Sequence, residues 1–441
     1  MDTRSTLIGY DFTEFSQDFV QTNQHHPHVV RRPQATTHID RFALEQIMDI
    51  NAVYYEQYLQ GWSSYYLTSR HLEEIHKYNS NNTSFAVVNQ HVYRQAIQSA
   101  QNGLRSLPFV RAYDVLTELD SVSYKPSSAA GYDYIGAKGP LNGTNHKERL
   151  VEQAVLWSAI KQDGEGIEHV IQTSVPDVSY TRTQLADLTE KTKVRQVWGR
   201  SFHYILLEGI VADPFIQAIT RSDTFVHTGQ DPTISVPQLL SKVAGQSQFI
   251  YSIDWKTFDA SVSRFEINAA FDLIKSKVSF PNIETEQAFE ITRQLFIHKK
   301  IAAPDGLIYE IHKGIPSGSY YTSLIGSIIN KLRIEYLWRV TTGHGPQVCY
   351  TLGDDSLSGD NHFLSPTKMS EVANPLGWYL NPDKTEYSRI PENVSFLGRT
   401  FLGGLNARNL KRCLRLLVYP EFPVDTGEIS AYRAQSIAHD A

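Results

Sequence analysis

The chain has 441 residues, 41% of them hydrophobic and 20% charged, with a formal net charge of −6. That is the composition of a soluble globular protein with a substantial core, and the acidic balance argues against a uniformly basic nucleic-acid protein while leaving room for a basic channel. Two cysteines, Cys349 and Cys413, exclude a disulfide framework and a Cys-rich zinc site; no apolar run reads as a membrane span and no signal-peptide core follows Met1, so a reducing compartment is expected.

In chain order, residues 1–110 are rich in Tyr, Gln, His and Asn. The spacing of Phe42–Ile50 predicts a helix. His25-His26-Pro27-His28 invites a metal reading, but no second ligand cluster lies nearby in sequence. The pairs Tyr54-Tyr55 and Tyr65-Tyr66 read as helix packing before base stacking. Residues 121–145 are turn-rich, with Ser127, Ser128 and Gly131 flanked by Lys125 and Lys138. Such a segment suits a surface linker or a loop over which a phosphate backbone slides. An amphipathic helix is expected over residues 150–160. Lys191, Lys193 and Arg195 are spaced two apart, which on a strand puts all three on one face. A cationic row of that kind can hold a triphosphate, or it can be a solvated edge.

The apolar run Phe249–Ile253 reads as a buried strand closed by Asp254-Trp-Lys-Thr-Phe-Asp259. Next comes Gly314-Ile-Pro-Ser317-Gly318-Ser-Tyr-Tyr-Thr322, a flexible loop leading into a small-residue helix that contains Gly326 and Asn330. A second run, Val348–Leu352, ends on Gly353-Asp354-Asp355. Adjacent aspartates repel each other unless cations neutralise them. If the two strand ends meet, Asp254, Asp354 and Asp355 form a hard oxygen cage suited to Mg2+, and a pair of such ions supports in-line phosphoryl transfer. Gly-Asp-Asp alone reads equally as an ordinary hairpin turn. Its weight comes from its order among the other signatures, which continue with Asn381-Pro-Asp-Lys384-Thr385 and Phe396-Leu397-Gly398-Arg399-Thr400. No Gly-x4-Gly-Lys-Ser/Thr occurs, which sets aside a P-loop ATPase.

This ordered set resembles the palm motifs of viral RNA-dependent RNA polymerases over about residues 120–405. The wording Gly-Ile-Pro-Ser-Gly-Ser-Tyr and Leu-Gly-Asp-Asp-Ser-Leu is most similar to the partitiviruses, a family of double-stranded RNA viruses. The resemblance implies an α+β right-hand fold of fingers, palm and thumb. Its antiparallel palm sheet would carry Asp254 on one strand and the Gly353-Asp354-Asp355 hairpin between two others. The expected organisation is an N-terminal helical extension with fingertips (1–115), fingers (116–246), the first palm strand (247–271), a fingers insertion (272–312), the remaining palm (313–403) and a short or truncated thumb (404–441). Only one or two short helices fit after residue 404, so either the chain continues beyond residue 441 or the N-terminal region completes the thumb.

The implied activity is template-directed RNA synthesis from ribonucleoside triphosphates with two Mg2+ ions, for which Mn2+ can substitute. Single- and double-stranded RNA and a viral capsid protein are the implied partners, without a membrane, in a virion interior or host cytoplasm. Residue by residue, Asp254 and Asp354 match the main metal ligands and Asp355 a weaker one. Asp259 matches the position that detects the ribose 2′-hydroxyl, which needs an acceptor to be told from its absence. Lys191, Lys193 and Arg195 resemble the nucleotide-entry motif, and Ser127, Ser128 and Gly131 the loop that guides template. Ser317, Gly318, Thr322 and Asn330 match the segment at the template–nucleotide pair. Gly326 departs from picornavirus-like sequences, which carry Asn there, so Asn330, Thr322 or water must supply the ribose contact. Lys384 is a candidate general acid toward pyrophosphate, and Phe396, Leu397, Gly398 and Arg399 resemble the primer grip, with Arg399 available to a phosphate. A reverse transcriptase shares this palm logic, but its aspartate pair usually follows x-Met or x-Val after an aromatic, not Leu-Gly. A catalytically silent RNA-binding capsid scaffold is the remaining alternative.

Overall fold

The two aspartate-ended apolar runs form neighbouring parts of one sheet. In the computed structural model, which describes residues 17–26, 38–150, 153 and 165–441, four antiparallel strands lie in the order Val348–Leu352, Asp355–Asp360, Phe249–Ser252 and Glu386–Ser388. The pairing of Leu352 with Asp355 leaves Gly353 and Asp354 as a two-residue turn, and Gly353 supplies the positive φ of 59° that such a turn needs. His28 and most of residues 150–160 lie outside the described residues.

Behind this sheet runs the helix Thr322–Thr342, buried without interruption from Leu324 to Trp338. A helix apolar or small on every side has no solvent face to offer and becomes the centre of a core. Its most deeply buried cation, Arg333, is paired with Glu266 at 2.6 Å and stacked against Trp255, Phe258 and Trp378. Glu266 also closes a capping box with Ser263 at the start of the helix Arg264–Lys275.

A second sheet was not anticipated. It has five strands in the order Phe19–His25, Leu307–Ile311, Lys299–Ala302, Asp177–Gln184 and Lys193–Gly199. All its pairings are antiparallel except that of Asp177–Gln184 with Lys299–Ala302. The helix Phe202–Thr220, which follows its last strand, is long and apolar enough to cross a membrane by length and composition, contrary to the expectation that no such run exists. It is instead a core helix. Most of it is buried, and buried Glu208 and Asp213 on it accept hydrogen bonds from Ser319 and from the backbone of Ser123.

Residues 40–62 meet the C-terminal segment. After the hairpin Thr400–Leu402/Leu405–Ala407 come two helices, Leu410–Val418 and Gly427–Asp440. They pack on the helix Arg41–Asn51 and the Tyr-rich turn Tyr55–Leu59. Asp40 caps the helix Arg41–Asn51 through Ala43 N (3.1 Å) and accepts from Ser430 (2.9 Å) and Arg433 (2.6 Å). The guanidinium of Arg415 lies 3.7 Å from the Trp62 ring centroid. The aromatic pairs of this region therefore serve packing, as expected of Tyr54 and Tyr55.

Candidate active site

Asp254 sits two residues past the end of its strand, where the backbone leaves the sheet. Its N–H donates to Thr385 Oγ1 (3.2 Å), and its carbonyl accepts from Asn381 N (2.9 Å). Trp255 pairs with Leu380 across the same gap. The Asn381–Thr385 turn is thus built directly on Asp254, which brings exposed Lys384 to its carboxylate. Thr257 then takes a left-handed φ of 49°, a strained conformation for a β-branched residue. The chain turns there into the short helix Phe258–Ser261, which carries half-buried Asp259. Arg333, stacked on Trp255 and Phe258, holds both sides of this bend.

The Gly353-Asp354 turn is held from below by the helix Thr322–Thr342. Ser327 Oγ accepts from Gly353 N (2.8 Å), and Thr351 Oγ1 donates to Ser327 O (2.8 Å). Asn330 donates to Gly353 O (3.0 Å) and Asp355 O (3.1 Å) and accepts from Trp255 Nε1 (2.9 Å). This one amide binds the two aspartate signatures together. The sequence offered Asn330, Thr322 or water for the ribose contact; here the Asn330 side chain is fully buried, with both its N–H groups and its oxygen engaged by protein. Gly326 lies on the same face, where a Cβ would sit 3.5 Å from Gly353 Cα and 3.7 Å from the Phe258 ring.

The carboxylates feel one another. Desolvation, ahead of the charges of Asp354 and Asp254, pushes Asp355 up to about 6, against the pull of Arg195. Asp259 rises to about 7 through desolvation and the Asp354 charge, again opposed by Arg195. Asp254 is raised by desolvation, while Lys384 pulls it down and Asp354 pushes it up. Four carboxylates, the ammonium groups of Lys384 and Lys256 and the Arg195 guanidinium therefore share a single electrostatic field.

Arg195 enters from the second sheet. Lys191, Lys193 and Arg195 are all exposed, with Thr192, Val194 and Gln196 buried between them. Lys191 precedes the strand, which begins at Lys193, but the alternation extends back to it. Directly opposite Arg195 in the antiparallel ladder lies exposed Arg182, which sequence reading missed. Two cations facing each other across strands repel. The β-branched run Val178–Thr183 signals a strand, but its register is not legible from sequence.

The Gly314 loop is seated on this cationic strand. Ser317 Oγ donates to Gln196 O (3.0 Å) and accepts from Trp198 N (3.4 Å). A Cβ on Gly318 would fall 1.7 Å from Trp198 O, so only glycine permits the approach. Thr322 Oγ1 donates to Pro316 O (2.9 Å). Buried Lys299, also unforeseen, places its ammonium 2.8 Å from the carbonyls of both Lys313 and Gly314. Ser317 and Gly318 thus shape the loop against protein. Beyond Gly318 opens a cavity of about 590 Å³ lined by Lys125, Ser128, Lys138, Arg200 and Tyr320 among others. Lys138 donates to Ser128 Oγ (2.7 Å) and Ala129 O (2.9 Å), and Gly131, at φ 119°, lies against Ser201. Ser127 is exposed at the tip of the same loop.

Phe396 and Arg399 close a tight turn, with Leu397 and Gly398 both at positive φ. Phe396 is buried beside Ile250 and Leu357 of the four-stranded sheet. Arg399 does not stand free for a phosphate, as expected from sequence. It is buried, and its guanidinium is ion-paired with Asp440, which also pairs with Arg408.

These features are those of a right-hand polymerase, with mixed helix and sheet and an antiparallel sheet presenting carboxylates. Solved structures agree: the RNA-dependent RNA polymerase of a human picorbirnavirus superposes with a TM-score of 0.68 over 96% of this chain and 89% of that one, at 16% identity. An insertion-loop deletion mutant of that enzyme gives 0.65. The family model for viral RNA-dependent RNA polymerases matches residues 38–441, and the chain belongs to that family. Among curated relatives, the RNA-directed RNA polymerase of Cryptosporidium parvum virus 1 is 30% identical over 147 residues, or 32% of this chain and 28% of that protein. The genome polyprotein of Southampton virus is 22% identical over 312 residues, 66% of this chain and 17% of the polyprotein. The matched stretches thus span less than a third of these relatives.

Proposed function

We propose that this chain is an RNA-directed RNA polymerase that extends an RNA strand on an RNA template from ribonucleoside triphosphates, replicating and transcribing a viral genome. The observation that carries the reading is the Asn330 clasp, which ties the Asp254 segment and the Gly353–Asp355 turn into one carboxylate cluster facing Lys384 and Arg195. The donor set fits hard divalent cations: three carboxylates supply oxygen alone, and their mutual repulsion favours a cation among them. Asp254, Asp354 and Asp355 would hold Mg2+, with Mn2+ as a substitute. When bound, such ions stabilise charge on the attacking and leaving oxygens.

The chain's own groups supply the rest. Arg195, Lys193 and Lys191, joined by Arg182, present a cationic face to the triphosphate, which explains why two arginines face each other across strands. Lys384 donates a proton to the departing pyrophosphate. Asp259, which feels the charges of both Asp354 and Arg195 and whose carbonyl accepts from Ile315 N of the Gly314 loop, receives the ribose hydroxyl, with Thr322 further along that segment. Template reaches the site past Ser127, Ser128 and Gly131 along the cavity beside Gly318. The Phe396–Gly398 turn supports the primer end through its backbone. We assign residues 1–115 to the N-terminal extension and fingertips, 116–246 and 272–312 to fingers, 247–271 and 313–403 to palm, and 404–441 to a thumb. Its motif wording supports a source resembling the partitiviruses, with a capsid protein as proposed partner and the virion interior or host cytoplasm as proposed place.

Purified protein with single-stranded RNA, four ribonucleotides and Mg2+ should give template-length product. Synthesis only from deoxynucleotides would make it a reverse transcriptase, and RNA binding without synthesis would make it a silent scaffold.

A further inference from the structure

At the end of the four-stranded sheet opposite the Asp354 turn, His344, Asp360 and His362 bring one ligand atom each within 4.8 Å of one another, a spacing that the oxygens of Asp254, Asp354 and Asp355 do not reach in this structure. Asp360 is the last residue of the strand Asp355–Asp360, so five residues at about 3.3 Å each, roughly 16 Å, separate it from Asp355. His344 follows Gly343, the left-handed cap of the helix Thr322–Thr342.

Three details suit a metal. His344 Nδ1 lies 2.8 Å from the carbonyl of Gly345. A carbonyl only accepts, so the proton is on Nδ1 and the Nε2 lone pair is free, the arrangement by which proteins orient a ligating imidazole. Asp360 Oδ2 accepts from Trp338 Nε1 (3.2 Å), the outer hydrogen bond of a ligating carboxylate. Asp360 is only 3% exposed, yet among the described residues no Lys or Arg pairs with it; its one ion-pair partner is His362, at 3.9 Å. A buried carboxylate with so little compensation is costly unless a cation joins it.

We propose that His344, Asp360 and His362 form a structural zinc site, with water as the fourth ligand. Two imidazoles and a carboxylate suit Zn2+, whose bonds of about 2.0–2.2 Å draw such atoms together, and they suit Mg2+ poorly, since it takes oxygen. The ion ties the end of the helix that carries Ser327 and Asn330 to the end of the strand that begins at Asp355. It thereby stiffens the frame of the aspartate turn without touching it.

Protein stripped with EDTA and returned to buffer with excess Mg2+ is titrated with ZnCl2, and in parallel with CoCl2, whose visible bands are intense only at low coordination number. Wild type should take up one equivalent of Zn2+ that Mg2+ does not displace, gain thermal stability and show the Co2+ bands. His362→Gln, at a 71%-exposed side chain where folding is not at stake, should lose that equivalent and the bands, and Asp360→Asn should do the same. No Mg2+-resistant zinc in wild type overturns the site. So does undiminished uptake by His362→Gln.

Discussion

Asp354 is the residue whose loss separates chemistry from folding. It raises the proton affinity of Asp254, Asp259 and Asp355, so it destabilises its neighbours' charged forms. Asp354→Ala should abolish nucleotide incorporation while leaving the fold intact or slightly more stable. Retention of more than about a tenth of the wild-type rate would sink the metal assignment, since positioned ions contribute several kcal/mol. The same shifts set a pH dependence. A carboxyl whose folded pKa is raised contributes stability below its unfolded pKa and loses it as pH rises through the folded value. Metal-free protein should therefore lose stability from Asp355 and Asp259 between about pH 4 and 7, and Asp354→Ala should flatten that slope in a series of thermal melts. Lys384→Leu should slow incorporation at saturating nucleotide by about a hundredfold with KM unchanged; a change confined to KM makes Lys384 a binding residue only. Asn330 and Asp259 separate scaffold from sugar recognition. Asn330→Val strands buried polar partners and should cost about 3 kcal/mol with the ATP-to-dATP preference preserved, whereas Asp259→Ala should lower that preference. Competition between the two nucleotides on one template decides, and the reverse pattern would return ribose recognition to Asn330.

Among elements, the turn at Phe396–Arg399 and the helix Gly427–Asp440 act as one piece through the Arg399–Asp440 pair. A grip on phosphate and a structural ion pair differ in salt dependence. Removing a cation that binds one phosphate lowers the slope of log affinity against log salt by about one. Arg399→Ala should leave that slope unchanged for duplex RNA and lower stability by about 1–2 kcal/mol, the discount reflecting the half-open Asp440 carboxylate. A slope reduced by one would restore Arg399 to the RNA. The loop from Gly314 and the cationic strand Lys193–Gly199 are likewise one unit, since the Ser317 hydroxyl bridges Gln196 O and Trp198 N and Gly318 packs against the Trp198 carbonyl.

Across the whole molecule, the N-terminal segment closes on the C-terminal helices. Asp40, fully buried, caps the helix Arg41–Asn51 and holds Ser430 and Arg433. The helix Leu410–Val418 therefore has a partner that buries its apolar stripe, while Gly427–Asp440, of which only Ser430 is buried, is held through the polar contacts of Ser430 and Arg433. Asp40→Ala should lower stability by about 2 kcal/mol and shorten products made in the presence of a heparin trap. Unchanged product length would show that this clasp does not serve the grip on duplex RNA.

The sequence by itself determined the places where buried strands end in carboxylates, because a period-two apolar run and a polar turn are local patterns. Asp254, the Gly353-Asp354 turn, the small-residue helix and the Lys191–Arg195 alternation were all legible this way. Tertiary structure alone decided which partner each side chain meets. Asn330 looked available to ribose until the helix placed it beneath Gly353 and beside Trp255. Arg399 looked open to phosphate until Asp440, 41 residues on, reached it. Strand Phe19–His25 pairs with Leu307–Ile311, a register no local signal carries. Periodicity reports which face of an element is buried; hydrogen-bond and ion partners come from packing across hundreds of residues, and the clasp on the two aspartate signatures is made there.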